Sequence, residues 1–207
     1  ESEWFKEVSK KLEDKGFKIL ALNWVLGDRH IISNKEIRSP KDLKGMTVRI
    51  PPNVMWKETV SAMGGTPTEL AWSEVYSGLS SGVIDAAEAP LSTLYSSSLY
   101  ESANTLSLTG HFKAISGFVI GTKYFKSLPQ EFQKVIIEEF QKGGEEVTKA
   151  AYAEEQDWVK KFESQGVKVV KDVDHEAFRE ATKKVYTNFK EWSPDLYETI
   201  QHILNQK

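Results

Sequence analysis

Met46-Thr47-Val48-Arg49-Ile50-Pro51-Pro52 reads as a β-branched strand stopped by two prolines, which cannot donate to a sheet ladder. Just before it, Asp42-Leu43-Lys44-Gly45 predicts a short helical turn ended by glycine. Just after it, residues 54–63 carry a helical pattern that Gly64-Gly65 ends, and residues 66–70 read as a second short strand. Ser73 is placed to cap a helix running through Leu79, since its hydroxyl can accept an orphan backbone N–H. Gly82 stops that helix, and residues 83–90 bring a third strand to Pro90. Three strands alternating with two helices over this span have the rhythm of a parallel α/β sheet.

Outward from this block, Trp4, Phe5, Val8 and Leu12 recur at helical spacing and close at Gly16. Residues 17–22 follow as a strand, and the Gly27-Asp28, Ser33-Asn34 and Ser39-Pro40 signals predict loop across 27–45. Residues 91–100 read as a helix weakened by Ser96-Ser97-Ser98, and 114–121 as an apolar strand. Pro129 opens the longest periodic segment, which runs to Gly166 with a candidate break at Gly143-Gly144. A strand at 167–170, a helix from His175 to about Trp192 capped by Asp174 and ended by Pro194, and a last helix at 195–204 complete the chain. No internal repeat or low-complexity tract is present.

The 207 residues hold 27 basic and 30 acidic side chains, a formal charge of −3. Such a balance argues against a nucleic-acid partner, which needs clustered Lys and Arg to displace counterions. No apolar run approaches the roughly 20 residues of a membrane span. Cysteine is absent, which excludes disulfides, thiolate nucleophiles and Cys-based metal sites. The start, Glu1-Ser2-Glu3-Trp4, lacks a signal-peptide pattern, leaving a cytosolic chain or one whose start has been removed. His30, His111, His175 and His202 are scattered, and no two stand at metal-ligand spacing on one helix, so no metal is expected. No Walker A, Gly-x-Gly-x-x-Gly or Gly-x-Ser-x-Gly motif points to a cofactor or an activated serine. Glu74, Asp85 and Glu88, near predicted element ends, offer the one acid/base reading.

Arg49 stands out. Alternation puts Val48 and Ile50 on one face of their strand and the guanidinium on the other, close to the strand's carboxyl end. Ligands of open α/β sheets bind there, and a planar five-donor fork suits a carboxylate.

The runs Asp42-Leu43-Lys44-Gly45-Met46-Thr47-Val48-Arg49-Ile50-Pro51, Met63-Gly64-Gly65-Thr66-Pro67 and residues 72–85, from Trp72-Ser73-Glu74-Val75-Tyr76 to Gly82-Val83-Ile84-Asp85, carry a resemblance. Together they resemble the DctP-type solute-binding proteins of tripartite ATP-independent periplasmic (TRAP) transporters. Gly27-Asp28-Arg29-His30, Ser33-Asn34-Lys35, Tyr100-Glu101, Thr109-Gly110-His111 and Leu128-Pro129-Gln130-Glu131-Phe132-Gln133 extend the match in the family's order along nearly the whole chain.

The resemblance implies a periplasmic-binding-protein-like, type II-like α/β architecture of two lobes crossed by a long helix. It implies that Arg49 forms the salt bridge with a ligand carboxylate and that Arg29 holds the carboxylate or the surroundings of Arg49. Trp72 matches an aromatic lining the cavity, and Asn53 falls in the loop whose donors face the ligand. Glu88 stands where a ligand contact, a helix cap or a hinge residue all fit. Ala89 occupies a position often filled by asparagine in sialic-acid-binding members, and alanine cannot reach a carboxylate, which leaves room for a different acid.

On the same basis residues 1–26 are expected to be a remnant of the first lobe and 27–112 the complete second lobe. Residues 113–166 would be the returning strand and long helix, and 167–207 the C-terminal strand and helices. One whole lobe plus part of another would leave strand edges and apolar faces open to self-association or a domain swap. The function implied is extracytoplasmic or periplasmic capture of a small organic acid for membrane permease subunits, without cofactor or chemistry on the ligand. The rivals are a ligand-free interaction or sensor module of the same fold, and an enzyme using Glu74, Asp85 or Glu88.

Overall fold

The computed structural model describes residues 2–189, 192 and 194–205. In chain order the elements are α1 (Glu3–Asp14), β1 (Phe17–Ser33), β2 (Thr47–Ile50), α2 (Val54–Ala62), β3 (Thr66–Glu69), α3 (Val75–Ser81), β4 (Ala86–Pro90), α4 (Leu91–Ser96), β5 (Thr105–Gly121), α5 (Thr122–Ser127), α6 (Gln130–Ser164), β6 (Lys168–Val170), α7 (His175–Lys183) and α8 (Leu196–Asn205). Short 3-10 turns lie at Pro40–Leu43, Trp72–Glu74, Leu99–Glu101 and Lys184–Thr187. The chain divides into two compact units, Glu1–Gly27 with Lys113–Glu154, and Asp28–Phe112 with Glu155–Lys207. Among the described residues no helix is long and apolar enough to cross a membrane.

The sheet has six strands in the order β3-β2-β4-β1-β5-β6. In the larger unit β2 runs parallel to β3, from Thr47 opposite Thr66 to Ile50 opposite Glu69, and parallel to β4 at Val48 and Ala86. β1 then adds to β4 antiparallel, with Arg29 opposite Pro90 and His30 opposite Ala89. Two buried clusters flank these strands. One gathers Ile31, Met46, Val48, Ile50, Val60 and Phe178, the other Ile32, Leu79, Ile84, Leu94, Leu106 and Phe162. Neighbouring Ile31 and Ile32 enter different clusters because successive strand side chains point to opposite faces. The same alternation sends Val48 and Ile50 into one cluster and turns Arg49 toward Trp72, which packs on the other.

Both clusters lie in the larger unit. The smaller unit is held by polar and aromatic contacts. Asn23 Nδ2 and Trp24 Nε1 donate to the Gln141 and Phe140 carbonyls of α6, at 2.8 and 2.9 Å. Thr148 Oγ1 donates to the Asn23 carbonyl (2.7 Å) and accepts from Val25 N–H (3.0 Å). Phe118 meets Trp24 and Phe140 with ring centroids 4.8 and 4.4 Å away. Phe17, Ile115, Val119 and Phe132 remain exposed on this unit.

Several local expectations need correction. The loop predicted from Gly27 is strand as far as Ser33, because residues 29–33 find ladder partners in β4; Gly27, at φ +105°, accommodates the chain without a turn. Ser73 is no N-cap, since residues 72–74 form a 3-10 turn and α3 begins after Glu74 without a side-chain cap. β5 starts at Thr105, well before 114, where β6 pairs with it from Lys168. α6 continues unbroken through Gly143-Gly144 for 35 residues. A Cβ on Gly143 would lie 3.0 Å from the Trp24 ring, and one on Gly144 would lie 2.2 Å from Asn23 Oδ1. These glycines give room to side chains of β1 and do not break the helix. The helix predicted to run to about Trp192 ends at Lys183 and tightens to 3-10 geometry through Thr187. Residues 190, 191 and 193 of that expected helix end, with Glu1 and the terminal 206–207, lie outside the described residues.

Candidate functional site

Gly45, at φ +80°, turns the chain into β2, and Pro51 ends the strand one residue after Ile50. Arg49 therefore sits near the carboxyl end of a short parallel strand, where a sheet of this type leaves its ligand crevice. The residue is only 5% exposed. Its Nε donates to the Leu70 carbonyl (2.9 Å), and its guanidinium carbon lies 5.1 Å from the centroid of the Trp72 ring. Half-buried Trp72 is held in turn by Nε1 donating to Ser97 Oγ at 3.2 Å. The terminal nitrogens of Arg49 have no hydrogen-bond partner, and no carboxylate lies within ion-pair reach, among the described residues. Burial pushes the Arg49 pKa down; Glu88 opposes this and Arg29 adds to it.

Arg29 is engaged differently. Its Nε and Nη2 donate to Glu88 Oε2 and Oε1 at 2.5 and 2.7 Å, and Nη2 also donates to the Glu88 carbonyl at 3.0 Å. Glu88 is fully buried, and its Oε1 accepts a further bond from Trp56 Nε1 (2.9 Å). His111 Nε2 is 3.5 Å from Oε2. Burial alone would raise the Glu88 pKa, but Arg29 and then His111 outweigh it and hold the carboxyl below its ordinary value. The Arg29 charge is thus neutralised within the protein. That of Arg49 is not.

The six residues named from the sequence all fall in the larger unit, in different roles. Asn53 is the N-cap of α2, with Oδ1 accepting from Met55 N–H at 2.8 Å, so its side-chain oxygen is engaged. Ala89, buried opposite His30, offers shape and no polar side-chain atom. The three carboxylates of the acid/base reading are engaged separately. Asp85 Oδ2 accepts from Thr47 N–H and Oγ1, both at 2.7 Å; Glu88 is held by Arg29; and Glu74 is exposed at its 3-10 turn.

Trp56 and the contact of His111 with Glu88 were missed. A lone tryptophan in a helix carries no pattern that reports a buried carboxylate 32 residues later. Three of the scattered histidines also converge on one segment. Gly110 N–H donates to His30 Nδ1 (3.1 Å), His111 Nδ1 is 2.7 Å from Thr109 Oγ1, and His175 Nδ1 donates to the Thr109 carbonyl (3.0 Å). Among the described residues no group of three His, Asp or Glu side chains is arranged to hold a metal ion.

A family model described as DctP, bacterial extracellular solute-binding protein, family 7, matches residues 1–192. The chain belongs to the DctP family. One relative is the 2,3-diketo-L-gulonate-binding periplasmic protein YiaO of Escherichia coli K12, 31% identical over 176 residues, which are 84% of this chain and 53% of YiaO. Among solved structures, a TRAP periplasmic solute-binding protein from Ochrobacterium anthropi with bound L-fuconate is 40% identical with TM-score 0.89, over 97% of this chain and 66% of that one. Another, from Desulfovibrio salexigens in complex with diglycerolphosphate, is 34% identical with TM-score 0.93, over 99% of this chain and 66% of its own. The chain thus spans about half the length of YiaO and about two thirds of these solved relatives. Its α/β fold is that of the TRAP binding proteins, and the relatives named here are binding proteins, not enzymes.

Proposed function

We propose that this chain is part of the extracytoplasmic solute-binding component of a TRAP transporter, capturing a small organic acid through a salt bridge from Arg49 and presenting it to membrane permease subunits. The observation that carries this reading is the buried guanidinium of Arg49, without a carboxylate partner among the described residues while its neighbour Arg29 has one. A buried charge left unpaired is costly, and an incoming carboxylate supplies the missing partner. The contact with Trp72 and the bond from Nε to the Leu70 carbonyl leave the terminal nitrogens as the donors available to a ligand. L-fuconate and 2,3-diketo-L-gulonate, bound by relatives, are sugar acids with one carboxylate, and such acids are the first ligands to try.

Titration calorimetry of sugar acids and C4-dicarboxylates tests the assignment. Arg49→Ala is expected to lower affinity about 100-fold or more, since a charge-assisted pair and the cost of an unpaired ligand carboxylate are both at stake. Arg49→Lys is expected not to restore it, because the planar fork is lost. Near-normal heats in either variant would reject the role of Arg49.

A further inference from the structure

A cavity of about 390 Å³ opens in the larger unit between the Thr109–His111 segment of β5, α7, the 3-10 turn after it, and α8. We propose that it is a second anion site, shaped for a small phosphate-class oxyanion, free or carried as a monoester. The chain is acidic as a whole, yet among the described residues no Asp or Glu lines this cavity. Its walls present His175, Arg179 and Lys183 from α7, Tyr186 from the turn, and Tyr197 and Gln201 from α8.

The internal bonds of these groups show which donors remain for a ligand. His175 Nδ1 is fixed by donating to the Thr109 carbonyl (3.0 Å), which leaves Nε2 as its other polar atom. Lys183 Nζ lies 5.1 Å from the centroid of the Tyr197 ring and has no carboxylate partner among the described residues. Among the described residues Arg179 pairs only with Glu176 (2.8 Å), where both side chains are more than half exposed, and such pairs contribute little and rearrange readily. Tyr186 and Tyr197 meet edge to face with centroids 5.2 Å apart, and neither hydroxyl has a protein partner among the described residues. Burial, with Tyr197 beside it, pushes the Tyr186 pKa up, so this hydroxyl stays a proton donor at neutral pH. A tetrahedral oxyanion accepts from several directions at once, and here donors come from three elements around one hollow. His111 is the residue shared with the Glu88 network, so the test must separate this cavity from Arg49.

The test is an amide-resolved NMR titration of the 207-residue chain with inorganic phosphate and, separately, methyl phosphate, at ionic strength held constant with chloride. The expected result is saturable shifts at residues 109–111 and 175–186, kept in Arg49→Ala. Loss of two charged donors should weaken them about tenfold or more in the Arg179→Ala/Lys183→Ala double variant. Both positions are exposed, so the variant should fold, and Tyr186→Phe gives a milder second probe expected to weaken binding severalfold. Saturation by methyl phosphate alone identifies a monoester ligand, and saturation by inorganic phosphate alone a free ion. Shifts that chloride reproduces, an unaffected double variant, or shifts abolished by Arg49→Ala would each overturn the proposal.

Discussion

Trp72 lies against the guanidinium of Arg49. The guanidinium carbon is 5.1 Å from the indole centroid, and the indole is itself tied to Ser97 at 3.2 Å. With Nε on the Leu70 carbonyl at 2.9 Å, the cation is oriented by the protein alone. Such an arrangement removes part of the ordering cost that binding otherwise carries.

Replacing Trp72 should therefore act on affinity through Arg49. Trp72→Ala is expected to weaken acid binding about tenfold, near the worth of a partly desolvated cation–π contact, and Trp72→Phe less. Calorimetry on both variants checks this, and equal affinities for wild type and Trp72→Ala would exclude the positioning role.

Asn53 offers a separation of cap from ligand contact. Its Oδ1 accepts from Met55 N–H, so Asn53→Ala should cost about 1 kcal/mol of stability, and Asn53→Asp should largely retain it. Urea unfolding measures the stability, and acid titration of the same variants shows whether affinity follows. A loss of affinity in Asn53→Ala without loss of stability would make Asn53 a ligand residue first.

At Gly144 two effects compete. Alanine gains about 1 kcal/mol in helix propensity over glycine. Its Cβ, however, would stand 2.2 Å from Asn23 Oδ1 and force that side chain off the Gln141 carbonyl. Gly144→Ala should come out destabilising in urea unfolding, while the same change on an Asn23→Ala background should stabilise. A stabilising effect in both backgrounds would show that the close approach carries no weight.

Stability should fall on the acid side. Burial first, then the neighbouring His111 and His175 against the opposing Asp28, lowers the His30 pKa from 6.5 to about 4. Glu155 is the other charge near it, with Oε1 4.0 Å from Nε2. Between these values the unfolded chain binds the proton that the folded chain refuses, so this contribution is complete above pH 6.5 and is lost as pH falls toward 4. The full loss is about 3 kcal/mol, at 1.36 kcal/mol per pKa unit. Glu88, whose pKa is also lowered, adds a loss of the same sign below its ordinary value of 4.5. Unfolding free energies between pH 7 and 4 should decline in wild type and decline less in His30→Asn. Parallel slopes would place the acid sensitivity elsewhere.

What could be read from the chain was local. Strand β2 between Gly45 and Pro51, the turns at Gly64 and Gly82, and the Asp174 cap follow from residues in immediate sequence, and the alternation around Arg49 places it correctly. The length of β1 was not legible, because residues 29–33 become strand only by pairing with β4. Gly143-Gly144 looked like a break because nothing local reports Trp24 and Asn23 pressing on α6. Glu88 reads in the sequence as an acid/base candidate, a ligand contact, a helix cap or a hinge residue; its pairing with Arg29, 59 positions earlier, and Trp56, 32 positions earlier, has no local signal.

The Arg29–Glu88 pair also limits how this family of chains can drift. Removing either partner strands a buried charge at a cost of several kcal/mol, whereas exchanging both for apolar groups can be neutral. Single steps at either position are therefore closed to neutral change, and Trp56 and His111 must adapt to whichever pair results. Across homologues, positions 29 and 88 should vary together or not at all.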